Sequence, residues 1–480
     1  MASTAQQGFV AELTRKSVDL SRWYTEVVQK AELADYWQIH GFQIVRPYGY
    51  ALWENMQARL DRRFKRTGHK NAYFPLLMPE ALLSKEAEHV EGFAPEVFWV
   101  TRAGGEELSE RLAIRPTSEA IIMTMYAKWI DSWRDLPVLI NQWNSVLRNE
   151  KTTRFFLRTA EFLWQEGHTA HRDEVEAREE TMRMLEVYRA FVEEDLAIPV
   201  IAGRKSDAEK FAGAQETYTI EALMPDGQAL QSGTSHFFGD NFARAFNITF
   251  QDQDGQRKHV HTTSWGLSWR TLGALIMVHG DDSGLIMPPR VAPTQVVVVP
   301  IRADDPTVKE AADRLVASLD ERFRVEADFS DHSPGWKFNE WEMRGVPVRV
   351  EIGPRDVKNN QCVLVRRDNR ERQTLPLDGV ADAIQSTLDA LQAALFERAR
   401  QDRDARTTHA DSFDELAGAL KERPGFIRAH WCGSPTCEAR VKADTGATIR
   451  CIPLDAPAED GRCIVDGRPS RKRVLFARAY

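Results

Sequence analysis

The sequence predicts an α+β domain built on a largely antiparallel sheet, then a small α/β domain, then a small α+β C-terminal domain. Three observations carry this prediction. Residues 1–290 mix helical and strand patterns without a regular βαβ alternation, which argues against a parallel sheet. A proline-rich segment at 288–293 marks a boundary, and beyond it strand and helix patterns do alternate. Four of the five cysteines, Cys432, Cys437, Cys451 and Cys463, crowd near the C-terminus. The expected domains are 1–290, 291–400 and 401–480.

In the first domain, apolar residues at helical spacing predict helices over 12–40 and 53–66. Residues 72–79 form an apolar run ending in prolines and read as a strand. Residues 138–150 are rich in β-branched and apolar side chains and read as another. Helices are expected over 119–132 and 173–196, and strands over 218–222, 245–251 and 259–263. In the second domain, the uninterrupted apolar run at 295–300 is the pattern of a strand buried on both faces. A helix at 307–319, a strand at 324–328, a helix at 335–344, strands at 346–352 and 361–366 and a helix at 380–399 follow. Residues 400–408 are charged and poor in apolar groups, so they read as a linker. A helix at 412–421 opens the last unit, which is small enough to need a metal or another anchor.

Composition bounds the class. Apolar residues make up 42% and charged residues 28%, a soluble globular profile. No run approaches the ~18–20 apolar residues of a membrane span. The first residues lack a signal peptide's basic and apolar regions, so a cytoplasmic protein is expected. Five cysteines exclude a disulfide scaffold, but their clustering suggests a metal site. The net charge of −8 argues against adhesion to nucleic acid by bulk charge. A local basic face remains open, with Arg471, Lys472, Arg473 and Arg478 near the end.

Several segments carry candidate chemistry. Arg148 and Glu150 are two apart on an expected strand and would share a face. An arginine and a carboxylate so placed can grip a phosphate and a base amino group, although such pairs are more often surface ion pairs. Arg270 opens an apolar helix after Trp265-Gly266 and needs an anion to justify burial. Arg115-Pro116-Thr117-Ser118-Glu119 precedes a helix and by itself reads first as a plain cap. Phe162, Trp164, Glu166 and His168 would share a strand face, either buried around a site or along a solvent edge. Gln231-Ser232-Gly233-Thr234-Ser235-His236 reads as a turn able to approach a ligand.

Taken in this order, these segments resemble the class II aminoacyl-tRNA synthetases, and most closely the prolyl-tRNA synthetase family, over the whole chain. Pro75 matches the dimer-forming first motif, Arg148-Asn149-Glu150 the second and Gly266 to Arg270 the third. The resemblance implies a class II catalytic domain, an anticodon-binding α/β domain and a C-terminal domain that can bind zinc. It implies ATP-dependent attachment of L-proline to its tRNA by a homodimer, with Mg²⁺ as cofactor. Arg148 would hold the ATP α-phosphate, Glu150 the adenine amino group and Arg270 the γ-phosphate, with Gln231 and Thr234 near the nucleotide. Thr117 and Glu119 would receive the proline amine. Trp164, Glu166, His168, Phe211 and His236 would line the ring pocket.

Only 120 positions separate Glu150 from Arg270, which leaves no room for the editing insertion of the typical bacterial branch. The chain resembles the archaeal and eukaryotic-like branch, with its C-terminal extension and terminal tyrosine, here Tyr480. Glu340, Arg349, Glu351, Arg355 and Asp356 are candidates for base contacts. Zinc-bearing relatives use Cys-x4-Cys followed by Cys-x2-Cys. Here Cys432 and Cys437 keep the first pair, but Cys463 is followed by Asp466 where a cysteine is expected. A carboxylate can complete a tetrahedral site, Cys451 is a substitute elsewhere, and loss of the ion is the alternative. The rival functions are an inactive tRNA- or amino-acid-binding paralogue and another class II enzyme such as the threonine one.

Overall fold

The computed structural model describes residues 13–89 and 97–480. The N-terminal stretch read as lacking a targeting signal lies outside them. An eleven-stranded sheet organises the molecule. Its central strands are Val200–Arg204, Glu216–Leu223, Ala229–Gly239, His261–Ser268, Glu161–His171 and Val138–Leu147, in that spatial order and antiparallel throughout. Helices Leu20–Lys30, Pro47–Arg66, Glu174–Ala190 and Arg270–His279 bury Trp23, Trp53, Phe64, Tyr188 and Leu272 in one large apolar cluster. A second cluster gathers around helices Glu119–Trp129 and Asn241–Phe246. Among the described residues, no helix is long and apolar enough to cross a membrane.

The α/β domain forms as expected. Strand Val296–Pro300 is buried along its whole length, between parallel neighbours Val325–Ala327 and Val348–Ile352. Gln361–Arg366 and Arg372–Pro376 extend the sheet antiparallel, the latter unforeseen because its residues are mostly exposed and polar.

Several expected elements differ. The helix expected over 12–40 spans only Leu20–Lys30, because Glu32 turns the chain in the left-handed region (φ 58°) into the hairpin Ala34–Tyr36/Gln43–Val45. Of 72–79, only Leu77–Pro79 is strand; Pro75 has no N–H for a ladder. Residues 245–251 divide into the end of helix Asn241–Phe246, a left-handed Asn247 and strand Thr249–Gln251. The segment 231–236 is no turn but the middle of strand Ala229–Gly239.

The expected linker at 400–408 is the end of helix Val380–Ala405 and the start of strand Thr407–Ala410. Its charges pair along the helix, Arg400 with Glu397 and Asp404, so they stabilise helix instead of breaking it. Past it, the C-terminal strands join the main sheet. Thr448–Pro453 pairs with Val200–Arg204 through Ile452 opposite Arg204 and Pro453 opposite Gly203.

Candidate active site

A cleft of about 230 Å³ opens over strands Glu161–His171, Ala229–Gly239 and His261–Ser268. Strand Glu161–His171 is bonded on both edges, so the solvent-edge alternative for its face is excluded. Phe162, Trp164, Glu166 and His168 all face the cleft, as period-two geometry requires. Between the last two, Gly167 lies under the Trp265 ring. A Cβ at 167 would sit 2.1 Å from that ring, so only glycine fits.

Glu166 anchors one end of the cleft. It accepts bonds from Ser118 N (3.1 Å) and Oγ (2.5 Å), Gln142 Nε2 (3.1 Å), Asn144 Nδ2 (2.7 Å) and His168 Nε2 (3.1 Å). Burial alone would raise its carboxyl, yet the His168 bond and the other donors hold it down to about 2. Burial opposes charge on His168, and the Glu166 bond with the nearby Glu119 outweighs it, raising the imidazole above its ordinary value. The Ser118 bond also decides the 115–119 segment. Ser118 sits at the N-cap of helix Glu119–Trp129 without a side-chain capping bond, its hydroxyl being given to Glu166. Thr117 donates to the Glu119 carboxylate beside it. Arg115, bonded to the carbonyls of Ser145 and Phe74, fixes the segment against the sheet.

Opposite stands His236, whose Nδ1 shares the Thr217 hydroxyl at 2.9 Å; burial pushes its imidazole down to about 3, so it is neutral. The Phe211 ring packs 4.7 Å from it. A bulge in strand Ala229–Gly239, beside Ile220 and Glu221, brings Gln231, Ser232, Gly233 and Thr234 all to the cleft.

Two half-buried arginines also line the cleft. Arg148 Nε donates to the Pro116 carbonyl at 3.0 Å, with its guanidinium 5.2 Å from the Phe162 ring and 5.5 Å from Trp164. Arg270, first residue of its helix, donates Nε to the Leu157 carbonyl at 3.0 Å. Burial and then the Arg148 charge bring Arg270 down to about 10. Burial likewise lowers Arg148.

Glu150 is placed differently from the sequence expectation. The strand ends at Leu147, so Arg148 and Glu150 do not share its face. Glu150 pairs instead with Arg158 Nε at 2.8 Å, outside the cleft lining. All the other expected nucleotide and amino-acid residues line the cleft: Thr117, Glu119, Arg148, Trp164, Glu166, His168, Phe211, Gln231, Thr234, His236 and Arg270. Glu209, Thr217 and Ser264 also line it and were missed. Glu209 lies in a polar loop without periodicity, where the sequence carries no signal.

Cys432, Cys437, Cys463 and Asp466 converge, their ligand atoms all within 4.8 Å of one another. Cys432 Sγ lies 3.7 Å from Cys437 Sγ, and Asp466 Oδ2 lies 3.5 and 3.1 Å from the two sulfurs. Tetrahedral zinc with bonds near 2.3 Å separates its sulfurs by roughly 3.8 Å, so the donors fit that ion. Cys451 is not in this group; it is buried in strand Thr448–Pro453 against Gly203.

In the α/β domain, Glu340 bonds Arg344, and Glu351 bonds both Arg349 and Arg372. Asp356 accepts from Gly353 N. Of the five residues expected to contact bases, Arg355 alone is exposed, whereas these four are bound internally.

Comparison with known proteins agrees with this arrangement. Residues 98–279 match the family described as tRNA synthetase class II core domain (G, H, P, S and T). Residues 295–387 match the anticodon binding domain, and 413–480 the prolyl-tRNA synthetase C-terminal family. The chain is 56% identical to proline–tRNA ligase 2 of Clostridioides difficile and 54% identical to proline–tRNA ligase of Alkaliphilus oremlandii, with all of each chain covered. It is 55% identical to the Symbiobacterium thermophilum proline–tRNA ligase over 99% of each. With a class II core, an anticodon-binding domain and full-length identity above half, the chain belongs to the prolyl-tRNA synthetase family.

Proposed function

We propose that this protein is a proline–tRNA ligase that activates L-proline with ATP and transfers the prolyl group to its tRNA. The observation that carries the reading is the polarity of one cleft. Two half-buried guanidiniums, neither paired with a carboxylate among the described residues, line it together with the buried Glu166–His168 and Thr117–Glu119 set, and Arg148 is held on the Pro116 carbonyl beside Thr117. Such a cleft holds a polyphosphate and a small zwitterion side by side, which is the geometry adenylate formation needs.

In this reading Arg148 binds the α-phosphate and Arg270 the γ-phosphate. Gln231 and Thr234 lie along the nucleotide, and Glu150 receives the adenine amino group from the loop it shares with Arg158. Thr117 and Glu119 accept the two hydrogens of the proline ammonium. Trp164, Phe211 and neutral His236 bound the ring, with Glu166 and His168 fixing the pocket floor. The proline carboxylate attacks the α-phosphorus in line, pyrophosphate leaves, and no side chain acts as nucleophile. Arg148 stabilises charge growing on the α-phosphate oxygens. Mg²⁺ bound with ATP would supply further charge neutralisation. The Cys432, Cys437, Cys463 and Asp466 donors would hold a structural zinc. The reading also takes the protein as a cytoplasmic homodimer. Apolar side chains left at the surface near the first motif, Tyr73, Leu76, Leu77 and Trp129, support the pairing.

ATP–pyrophosphate exchange with each amino acid tests the proposal. Exchange should depend on proline; absence of exchange, or dependence on threonine, overturns it.

A further inference from the structure

The amino-acid end of the cleft is bounded by the 205–215 loop, which carries Glu209 and Phe211 into the lining. The other side of this loop is held by the C-terminal unit. Ser206 Oγ donates to Glu438 Oε1 at 2.6 Å, with both side chains buried. One turn further along helix Pro435–Thr445, Lys442 Nζ reaches Glu209 Oε1 at 3.4 Å. That exposed pair contributes little alone, so the buried bond is the firm one.

The base of the loop is fixed from the same direction. Lys205 and Arg450 share the buried Glu221 carboxylate at 2.8 and 3.1 Å, and Arg450 comes from the C-terminal strand Thr448–Pro453. On the inner side, Phe211 N donates to Thr217 Oγ1 at 2.9 Å, the hydroxyl that also holds His236. One short loop therefore joins the pocket wall to the C-terminal helix. Among the described residues this buried carboxylate has one serine hydroxyl as its hydrogen-bond partner, and as a space-filler it is poor, since an apolar group would cost less to bury.

We propose that Glu438 is a positioning residue for amino-acid recognition: through its bond to Ser206, the C-terminal unit sets the Phe211 wall of the pocket. This rests on the ligase reading for the identity of the amino acid. Glu438 touches no substrate and acts only through the loop.

The test uses the full-length protein with Glu438→Ala, Ser206→Ala, both together, and Glu438→Gln, whose amide oxygen still accepts the serine bond. Glu438→Ala should raise the KM for proline about tenfold, the equivalent of one lost hydrogen bond. Its kcat and its KM for ATP should stay within about twofold. Ser206→Ala should match it, the double variant should be no worse than either, and Glu438→Gln should restore the proline KM. Amide hydrogen exchange across 205–215 should quicken in Glu438→Ala. An unchanged proline KM with unchanged amide exchange overturns the proposal, as does an equal loss in kcat and ATP affinity. Wild-type protein without proline-dependent exchange overturns the ligase reading instead, and the amide exchange then still decides the grip of Glu438 on the loop.

Discussion

Arg148 and Arg270 face one cleft, and among the described residues neither guanidinium is paired with a carboxylate. Each gives its Nε to a backbone carbonyl, that of Pro116 for Arg148 and that of Leu157 for Arg270. Burial and mutual repulsion bring Arg270 down to about 10. Two like charges held this way destabilise the free protein and favour a polyanion between them.

Replacing either arginine by glutamine should therefore separate activity from stability. Proline-dependent exchange should fall by about 10²–10³-fold or more, the scale for losing one fixed charge-stabilising donor. The melting temperature should hold or rise, because a half-buried charge without a salt-bridge partner is gone. Melting curves and pyrophosphate exchange on the same preparations check both halves.

ATP should raise the melting temperature of the wild type and do so less in these variants. Saturation at a hundredfold over Kd corresponds to about 2.7 kcal/mol. An equal thermal shift in Arg270→Gln would remove Arg270 from the phosphate site.

Glu119 and Thr117 sit at the start of a helix with no apolar reason to be buried. Glu119→Gln should raise the KM for proline by about 10–100-fold, the range for a charge-assisted bond. The KM for ATP should be little changed. A variant equally impaired toward both substrates would contradict the assignment.

Acid should destabilise the protein below neutrality through buried neutral imidazoles. Burial pushes His171 down to about 4, where its Nε2 meets the Thr169 hydroxyl at 2.8 Å. Between about pH 6.5 and 4 the unfolded chain takes up a proton that the folded chain refuses. Stability is then lost as pH falls through that window, by at most about 1.4 kcal/mol per pH unit for this residue. Glu166, held down to about 2, contributes stability above its ordinary range that is lost only at much lower pH. Urea unfolding of wild type and His171→Gln from pH 7 to 4 should show a shallower slope in the variant.

Elemental analysis should find one zinc per chain. Cys437→Ser should lose it and loosen the 413–480 region, whereas Asp466→Cys should retain it. Zinc unaffected by Cys437→Ser would place the ion elsewhere.

The sequence by itself determined the element types wherever a period was sustained: the Phe162-to-His168 face, the buried valine strand at 296–299, and the strand-to-helix step that presents Arg270. It also determined the family, because several short motifs occur in one order. Tertiary structure decided the partners. Ser118 could have capped its helix, and only the approach of Glu166 from another strand turned its hydroxyl away. Glu150 left the face of Arg148 because the strand ended three residues early and Arg158 came within reach. The charged run stayed helical as far as Ala405 because its own side chains pair, and the C-terminal strands joined the main sheet because glycine at 203 lets Cys451 pack against it. Periodicity is a local property and can be read along the chain. Which buried group answers which depends on segments that meet only after folding.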